Sequence, residues 1–516
     1  MSRALKSRSA ALLLALLLAL LALAACNRAP DIPPNTEPPV PPDRGELRGL
    51  WVDAFGPGLK TAAEIDQLVG DARKMNVNVL FAQIGRRGDC YCNNAAMPRT
   101  NDPAVPPGFD PLADLLSKAH AQGIQVHAWI ITTALWNSVT PPSDPAHAFN
   151  SHGPSAGGRD FWLTVKADGS VRGGADWVMD PGHPDAAEYI KNMYVSVVKN
   201  YDVDGVQFDR VRYPDYNPVG GPGQWGYNPT ALERYRAETG ESGTPAPEDA
   251  RWTAWRQQQV TNLVRETALA VKAVKPDVSV NAATITYGAG PADEAAFAAT
   301  RTALEVEQDW LTWVKEGYLD INVMMNYKRD FVPDQALWFD QWNTFAVGLG
   351  GKYPHTAQIS GAAIYLNDQD SSVQQVRKTF AAGLDGWAGY SYRTPDAEVN
   401  AGKRSQAEVF PELAAKLTAT GAPFEKPAAW ARPDSSSVRA LRGRVVTREP
   451  VGGRTVELRS AASGAVLATT QTDGQGRYGF MRVPLGPVIV ASAAASSKQL
   501  EVVAGKVLDA PDLTLN

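Results

Sequence analysis

Between Leu47 and about Thr420 the chain alternates short apolar runs with stretches whose apolar positions recur every three to four residues. The first kind reads as strands and the second as amphipathic helices. Apolar runs stand at 47–55, 77–84, 124–131, 204–209, 278–284, 319–327, 357–366 and 386–392. Helical spacing predicts helices over Ala62–Met75, where Ile65, Leu68, Val69 and Ala72 share a face, and over Leu112–Ala121, closed by Gly123. Further helices are expected at Ala186–Lys199, Trp252–Val274 (stopped by Pro276), Asp309–Glu316 and Ser372–Ala382. A short one follows at Pro411–Leu417, with its proline in the first turn, where it is tolerated. Strand and helix in strict alternation mean an α/β domain with parallel strands, and eight strands in this span predict a (β/α)₈ TIM barrel. A doubly wound open sheet is the alternative, but Val52-Asp53-Ala54-Phe55 after the first strand carries no glycine-rich phosphate turn.

Insertions at 85–111, 132–185, 210–250 and 285–308 each follow a strand. In a barrel that places them on the face where active sites are built. Past Thr420 helical periodicity disappears. Residues 421–437 read as a linker, and 438–516 as a small C-terminal all-β sandwich of short strands and turns.

The N-terminal residues 1–25 read as a signal peptide, with Arg3, Lys6 and Arg8 ahead of the Ala/Leu run Ala10–Ala25. The run ends in Leu23-Ala24-Ala25-Cys26, which resembles a bacterial lipobox, so Cys26 is the expected lipidation site and membrane partner. Residues 26–46 form a proline-rich spacer, which leaves 47–420 for the barrel. Asn27 in place of Asp after the cysteine implies the outer membrane if the cell is Gram-negative, and the cell surface otherwise. A formal charge of −5 gives no basic footprint, so no nucleic-acid partner is expected. Cys90 and Cys92 form a poor zinc site and read as small loop residues, oxidised or not; no metal or cofactor is expected.

The richest segment is DVDGVQFDRVRYP, residues 202–214. A short strand runs into Asp209 and is followed at once by Arg210, Arg212, Tyr213 and Pro214. A strand that ends in an acid, followed by guanidiniums and an aromatic, is how a barrel presents a reactive carboxylate to a polar ligand. The plainer alternative is a buried Asp209 paired with Arg212 for structure alone.

Together with RGLWVDAF, NVNVLFAQIGRRGDCYC, GFDPLADLLSKAHAQGIQVHAWI, MDPGHPDAAEYI and DWLTWVKEGYLDINVMMNY, this segment resembles the family 10-like glycosyl hydrolases, exported bacterial (β/α)₈ proteins. The resemblance spans about residues 48–400 and implies hydrolysis of a glycosidic bond in an envelope polysaccharide, with cell-wall glycan foremost. Two departures stand out. Arg210 occupies a position where many relatives have a second Asp, and Cys90 and Cys92 interrupt a loop that usually reads differently. TDGQGRYGFMRVPLGPVIVAS (472–492) resembles the carboxypeptidase-regulatory-like domains, which are usually accessory.

Glycoside hydrolysis generally requires two carboxyl groups. Asp209 is the expected nucleophile or base, kept ionised by Arg212. For the second acid the order is Asp309, then Asp330, then Asp53; Asp309 has a plain alternative as a helix N-cap. Asp385, ahead of the last strand, falls on the stability face. Sugar binding is expected of Gln83, Arg86, His127, Trp129, Arg212, Tyr213, Asn281, Asn326, Tyr327, Tyr365, Tyr390 and Tyr392, near strand ends. Any one of them alone reads as core or supporting structure. Trp136, Trp162, Trp177 and Trp225 stack on sugars or fill loop cores. The competing readings are a glycan-binding lipoprotein that does not cut, kept open by Arg210, and a metal-dependent deacetylase, for which His120 and His127 are poorly spaced. An Asp209 sealed from solvent would remove the hydrolase assignment.

Overall fold

The structure, a computed structural model, describes residues 43–217 and 221–515. The expected signal peptide, Cys26 and most of the proline-rich spacer lie outside the described residues. Eight parallel strands close on themselves: β1 (Leu47–Val52), β2 (Val79–Gly85), β3 (Gln125–Ile131), β4 (Gly205–Asp209), β5 (Ser279–Ile285), β6 (Ile321–Met325), β7 (Ala357–Ala363) and β8 (Gly386–Tyr390). The closing pair brings Trp51 of β1 beside Tyr390 of β8. Each strand is followed by its helix: α1 (Ala62–Lys74), α2 (Pro111–His120), α3 (Pro184–Asn200), α4 (Ala250–Val274), α5 (Trp310–Lys315), α6 (Pro333–Lys352), α7 (Gln369–Ala382) and α8 (Gln406–Thr418). The fold is therefore the TIM barrel that the alternation predicts.

α1 shows why the pattern works. Thr61 accepts from the Glu64 N–H as its N-cap, and Ile65, Leu68, Val69 and Ala72 are the residues it buries. Each large aliphatic buried this way contributes about 1.5–3 kcal/mol.

Inside the barrel, alternation along the strands turns Trp51, Phe81, Trp129, Ile321, Val323, Ile359 and Ala388 inward as one core. The Trp51 indole spans it and donates to Gln207 Oε1 on β4 at 2.6 Å. Gly361 makes room for that ring, since a Cβ there would lie 2.6 Å from it. His127 sits in the same interior. It accepts from the Asn281 amide at 3.0 Å and packs edge-on against Phe81, with centroids 5.4 Å apart.

Burial pushes His127 down to about 4, and His183, the N-cap of α3, likewise to about 4, from an ordinary value of 6.5. Both are fully buried. Between those values the unfolded chain takes up protons that the folded chain refuses, so stability falls as pH drops from about 6.5 towards 4. The loss is on the order of 3 kcal/mol per histidine. Urea midpoints measured from pH 7.5 to 4.5 should decline, and His127→Gln should flatten the decline; an unchanging midpoint would contradict the burial argument.

The elements depart from the pattern in several places. Periodicity assigns no range to α6, where Leu337, Trp338, Phe339, Trp342 and Phe345 point in several directions and Gly348, Gly350 and Gly351 dilute the signal. α8 begins at a Ser405–Glu408 capping box, so Pro411 lies inside the helix and not in its first turn. β6 and β8 stop at Met325 and Tyr390, earlier than their apolar runs do. Residues 424–432, expected to be part of a linker, are packed against the strand starts. Phe424 is fully buried beneath Arg48, whose guanidinium lies 4.5 Å from the ring centroid. Trp430 joins the interior core beside Leu47, Val79 and Ala357. Gln125 donates to the Trp430 carbonyl at 2.8 Å, and Arg432 bonds Asp204 at 2.6 Å.

The C-terminal part is a β-sandwich. One sheet carries Arg439–Val446 between Arg477–Phe480 and Lys506–Asp509; the other carries Thr455–Ser460 between Val466–Gln471 and Gly486–Ser492. Leu441, Val456, Leu458, Tyr478, Phe480 and Val490 form its core. It sits on the barrel wall. Arg265 of α4 donates to Thr470 Oγ1 at 3.0 Å and to the Gln471 carbonyl at 2.8 Å, and Gly479 meets Leu269 so closely that a Cβ would fall 2.1 Å from it.

The long loop after β4 is clamped to α4 by Arg256, which is fully buried. Its Nη1 donates to the carbonyls of Gly223 at 2.9 Å and Trp225 at 2.8 Å. Glu307 Oε1 lies 2.8 Å from the same nitrogen, yet neither Glu307 oxygen receives a well-aligned hydrogen bond. Burial pushes Glu307 up to about 7, with Arg256 opposing the shift.

Candidate functional site

Asp209 is the last residue of β4 and, unlike the rest of that strand, is only partly buried. Two donors fix it from the protein side. The Trp129 indole N–H donates to Oδ2 at 3.0 Å, and the Arg210 backbone N–H donates to Oδ1 at 2.6 Å. Arg210 has φ +52°, the left-handed region that non-glycine residues rarely occupy, and Thr133 Oγ1 donates to its carbonyl at 2.7 Å. The strand thus ends on the acid, and the next residue turns sharply away.

That turn decides where the two arginines go. The Arg210 guanidinium pairs with Asp176, which also accepts from Arg87 Nε at 2.9 Å. Arg212 pairs with Asp215 and not, as expected, with Asp209, although its charge still interacts with Asp209. The other oxygen of Asp215 accepts from Tyr287 at 3.1 Å.

Three tyrosines from neighbouring strand ends pack together, and two of them, Tyr327 and Tyr390, stand over Trp51 beside the acid. Tyr327 and Tyr390 have centroids 5.6 Å apart, Tyr365 and Tyr390 5.8 Å, and Trp51 lies 6.1 Å from Tyr390. Burial first, then the charges of Asp53 and Asp209, push the Tyr390 phenol up. Burial, Tyr390 and Asp209 do the same for Tyr327. Both remain phenols at neutral pH, able to donate to a ligand oxygen. All three rings are partly exposed.

The remaining expected residues divide. Arg86 lies on the rim, with its guanidinium 5.7 Å from the Phe55 centroid and 5.4 Å from Tyr91. Gln83 is buried and accepts from the Ala54 N–H at 3.0 Å, holding the loop after β1. His127 and Asn281 face inward but have no exposed surface, because they lie below Trp129 and Gln207 and not at the strand ends. Asn326, beyond the end of β6, turns outward and donates to the Phe339 carbonyl at 3.0 Å. Tyr392, beyond the end of β8, bonds Asp71 of α1 at 2.9 Å, and Tyr213 is sealed against Asp180 at 3.0 Å. For these six, contact with a ligand is closed off by burial.

Among the acids, Asp309 caps α5 and also accepts from Thr312 Oγ1 at 2.6 Å. Asp330 accepts from Lys378 at 2.9 Å. Asp53 is buried and engaged by the N–H groups of Phe55 and Gly56, by Ser391 and by Arg393. Trp162, Trp177 and Trp225 fill loop cores; Trp136, partly exposed, packs on His147 with centroids 5.2 Å apart. Cys90 and Cys92 are joined in a disulfide. Among the described residues no group of three or more His, Cys, Asp or Glu is arranged to hold a metal ion.

Sequence reasoning missed Asp176, Asp215 and Arg87, together with three exposed rings on loops after strands: Phe55 (48% exposed), Tyr216 (56%) and Phe331 (62%). Local sequence marks Asp215 weakly, by its place just past Pro214. Nothing local marks Asp176, whose partners come from distant segments. A hollow of about 710 Å³ between residues 290–295 and α6 contains none of these groups.

Residues 46–344 match the model of the family described as Glycosyl hydrolase-like 10. The chain is 25% identical over 349 residues to the glycosyl hydrolase DigH of Escherichia coli K12, covering 59% of this chain and 73% of that protein. It is 26% identical over 329 residues to the glycosyl hydrolase YngK of Bacillus subtilis strain 168, covering 58% and 56%. In fold it is similar to the glycoside hydrolase domain of PgaB (BpsB) from Bordetella bronchiseptica, with a TM-score of 0.50 at 14% identity, covering 71% of this chain and 98% of that one.

Proposed function

Because this chain belongs to the glycosyl hydrolase-like 10 family, we propose that it hydrolyses glycosidic bonds in a bacterial envelope polysaccharide, peptidoglycan glycan strands foremost. The observation that carries the reading is Asp209: a partly exposed acid at a strand end, oriented by two N–H donors and overlooked by phenols. Asp209 acts as nucleophile or as the base that activates water. Tyr327 and Tyr390 donate to sugar oxygens, and Phe55, Tyr216 and Phe331 offer faces on which sugar rings stack. Asp215, on the same loop and 44% exposed at its side chain although paired with Arg212, is the candidate for the second carboxyl group; Asp309 and Asp330 lie on other loops, held in a cap and an ion pair. Cys26 carries the lipid that holds the protein at the envelope, on the outer membrane facing the periplasm in a Gram-negative cell and at the cell surface otherwise.

A second reading, glycan binding without cleavage, draws on Arg210, a cation directly after the key acid. Incubating purified cell-wall glycan with the protein and assaying new reducing ends separates the two. Release by the wild type that Asp209→Asn abolishes supports hydrolysis; tight binding with no release favours the second reading.

A further inference from the structure

We propose that Arg87 and Arg210 form an anion subsite that recognises a carboxylate on the sugar bound next to the bond attacked at Asp209. The inference rests on the glycan reading and names the class of glycan: one that carries a carboxylate at or beside the cleavage point.

The two guanidinia come from the loops after β2 and β4 and converge on a single buried carboxylate, Asp176. Asp176 alone does not balance two guanidinia, and the other carboxylate whose charge acts on Arg210 is Asp209 itself. Each guanidinium gives one side-chain hydrogen bond to Asp176 and donates no other among the described residues. The Arg210 side chain is 36% exposed, so its unused N–H groups are open to a ligand. Asp176 fixes both arginines in advance, and that lowers the ordering cost of binding. A planar fork of guanidinium donors fits a carboxylate far better than it fits a neutral hydroxyl.

The surroundings are built for a sugar. The Arg87 guanidinium lies 5.3 Å from the centroid of the exposed Phe55 ring. On the other side Tyr216 lies against the turn that precedes Asp176, where a Cβ on Gly174 would come within 2.2 Å of the tyrosine ring. Charge and aromatic faces therefore meet at one place. Since the Arg210 N–H holds Asp209 while its side chain holds Asp176, the recognised carboxylate sits on the sugar adjacent to the reacting one.

Two kinds of sugar supply such a carboxylate: a uronic acid, on the ring, and a muramic acid freed of peptide, on its lactyl ether. The test uses oligosaccharides of each kind, each paired with a counterpart whose carboxyl groups have been reduced to alcohols. Reducing-end release is measured for the wild type, Arg210→Gln and Arg87→Gln, and calorimetric affinity for Asp209→Asn, which needs no turnover. The acidic member of one pair should be preferred about tenfold to a hundredfold, the range expected for charged hydrogen bonds, and the preferred pair identifies the source. Either glutamine variant should bring the ratio towards one, while its melting temperature reports whether it is folded.

A ratio near one for both pairs in the wild type, failure to bind any probe, or an equal loss on both members in Arg210→Gln would overturn the subsite. Preferential binding of the acidic probe with no release anywhere would keep the subsite and remove the hydrolase reading. Release without preference would do the reverse.

Discussion

Asp209→Asn should release reducing ends from cell-wall glycan about 10²–10⁴-fold more slowly than the wild type, the range set by losing one positioned acid or base. The effect should fall on kcat, because the substituted amide still fills the site and still accepts one of the two hydrogen bonds offered by Trp129 and Arg210. Stability should scarcely move. The residue is partly exposed at a strand end and the amide keeps one of its two hydrogen bonds, so the melting temperature is the control that separates lost chemistry from lost fold. Steady-state rates on glycan give the answer. An Asp209→Asn protein with more than a tenth of wild-type kcat would exclude Asp209 from the chemical step.

The largest stability loss is expected for Arg256→Met. The substitution keeps much of the apolar stem but removes the hydrogen bonds to the Gly223 and Trp225 carbonyls and strands Glu307 in a fully buried site. Removing one partner of a buried pair typically costs about 3–5 kcal/mol. The cost should depend on pH. Glu307, already pushed up to about 7 by burial, moves higher once its cation is gone. An acid whose folded-state value is raised favours the folded state while protonated and loses that contribution as pH rises through it. The gap in urea midpoint between variant and wild type should therefore be wider at pH 8.5 than at pH 6. At pH 8.5, Arg256→Met/Glu307→Gln should recover part of it. A gap independent of pH and unchanged in the double variant would mean that Arg256 acts through its carbonyl hydrogen bonds alone.

The barrel was legible because its strands are buried on both faces and so read as unbroken apolar runs. Asp209 was legible for a related reason: an acid that terminates such a run stands where the strand opens onto the mouth. What escaped was depth and direction. His127 and Tyr390 both face inward, yet one lies beneath a tryptophan and the other at the opening, and apolar pattern does not tell them apart. Asn326 and Tyr392 fall just past strand ends, where alternation no longer governs a side chain. The Arg87–Asp176–Arg210 cluster joins three separate segments, so no spacing rule could announce it. Asp309 shows the reverse hazard, since a helix cap and a catalytic acid look alike in sequence.

The packing of Trp430 under the strand starts bears on how the protein assembles at the ribosome. Its ring corks the end of the barrel opposite Asp209, together with residues from β1, β2 and β7, and it emerges only after all eight strands have been synthesised. A nascent chain that has closed its cylinder still lacks the ring that packs against Leu47, Val79 and Ala357 until that plug arrives. Composition draws the border near Thr420, but the hydrolytic unit ends at its stopper, some residues further on.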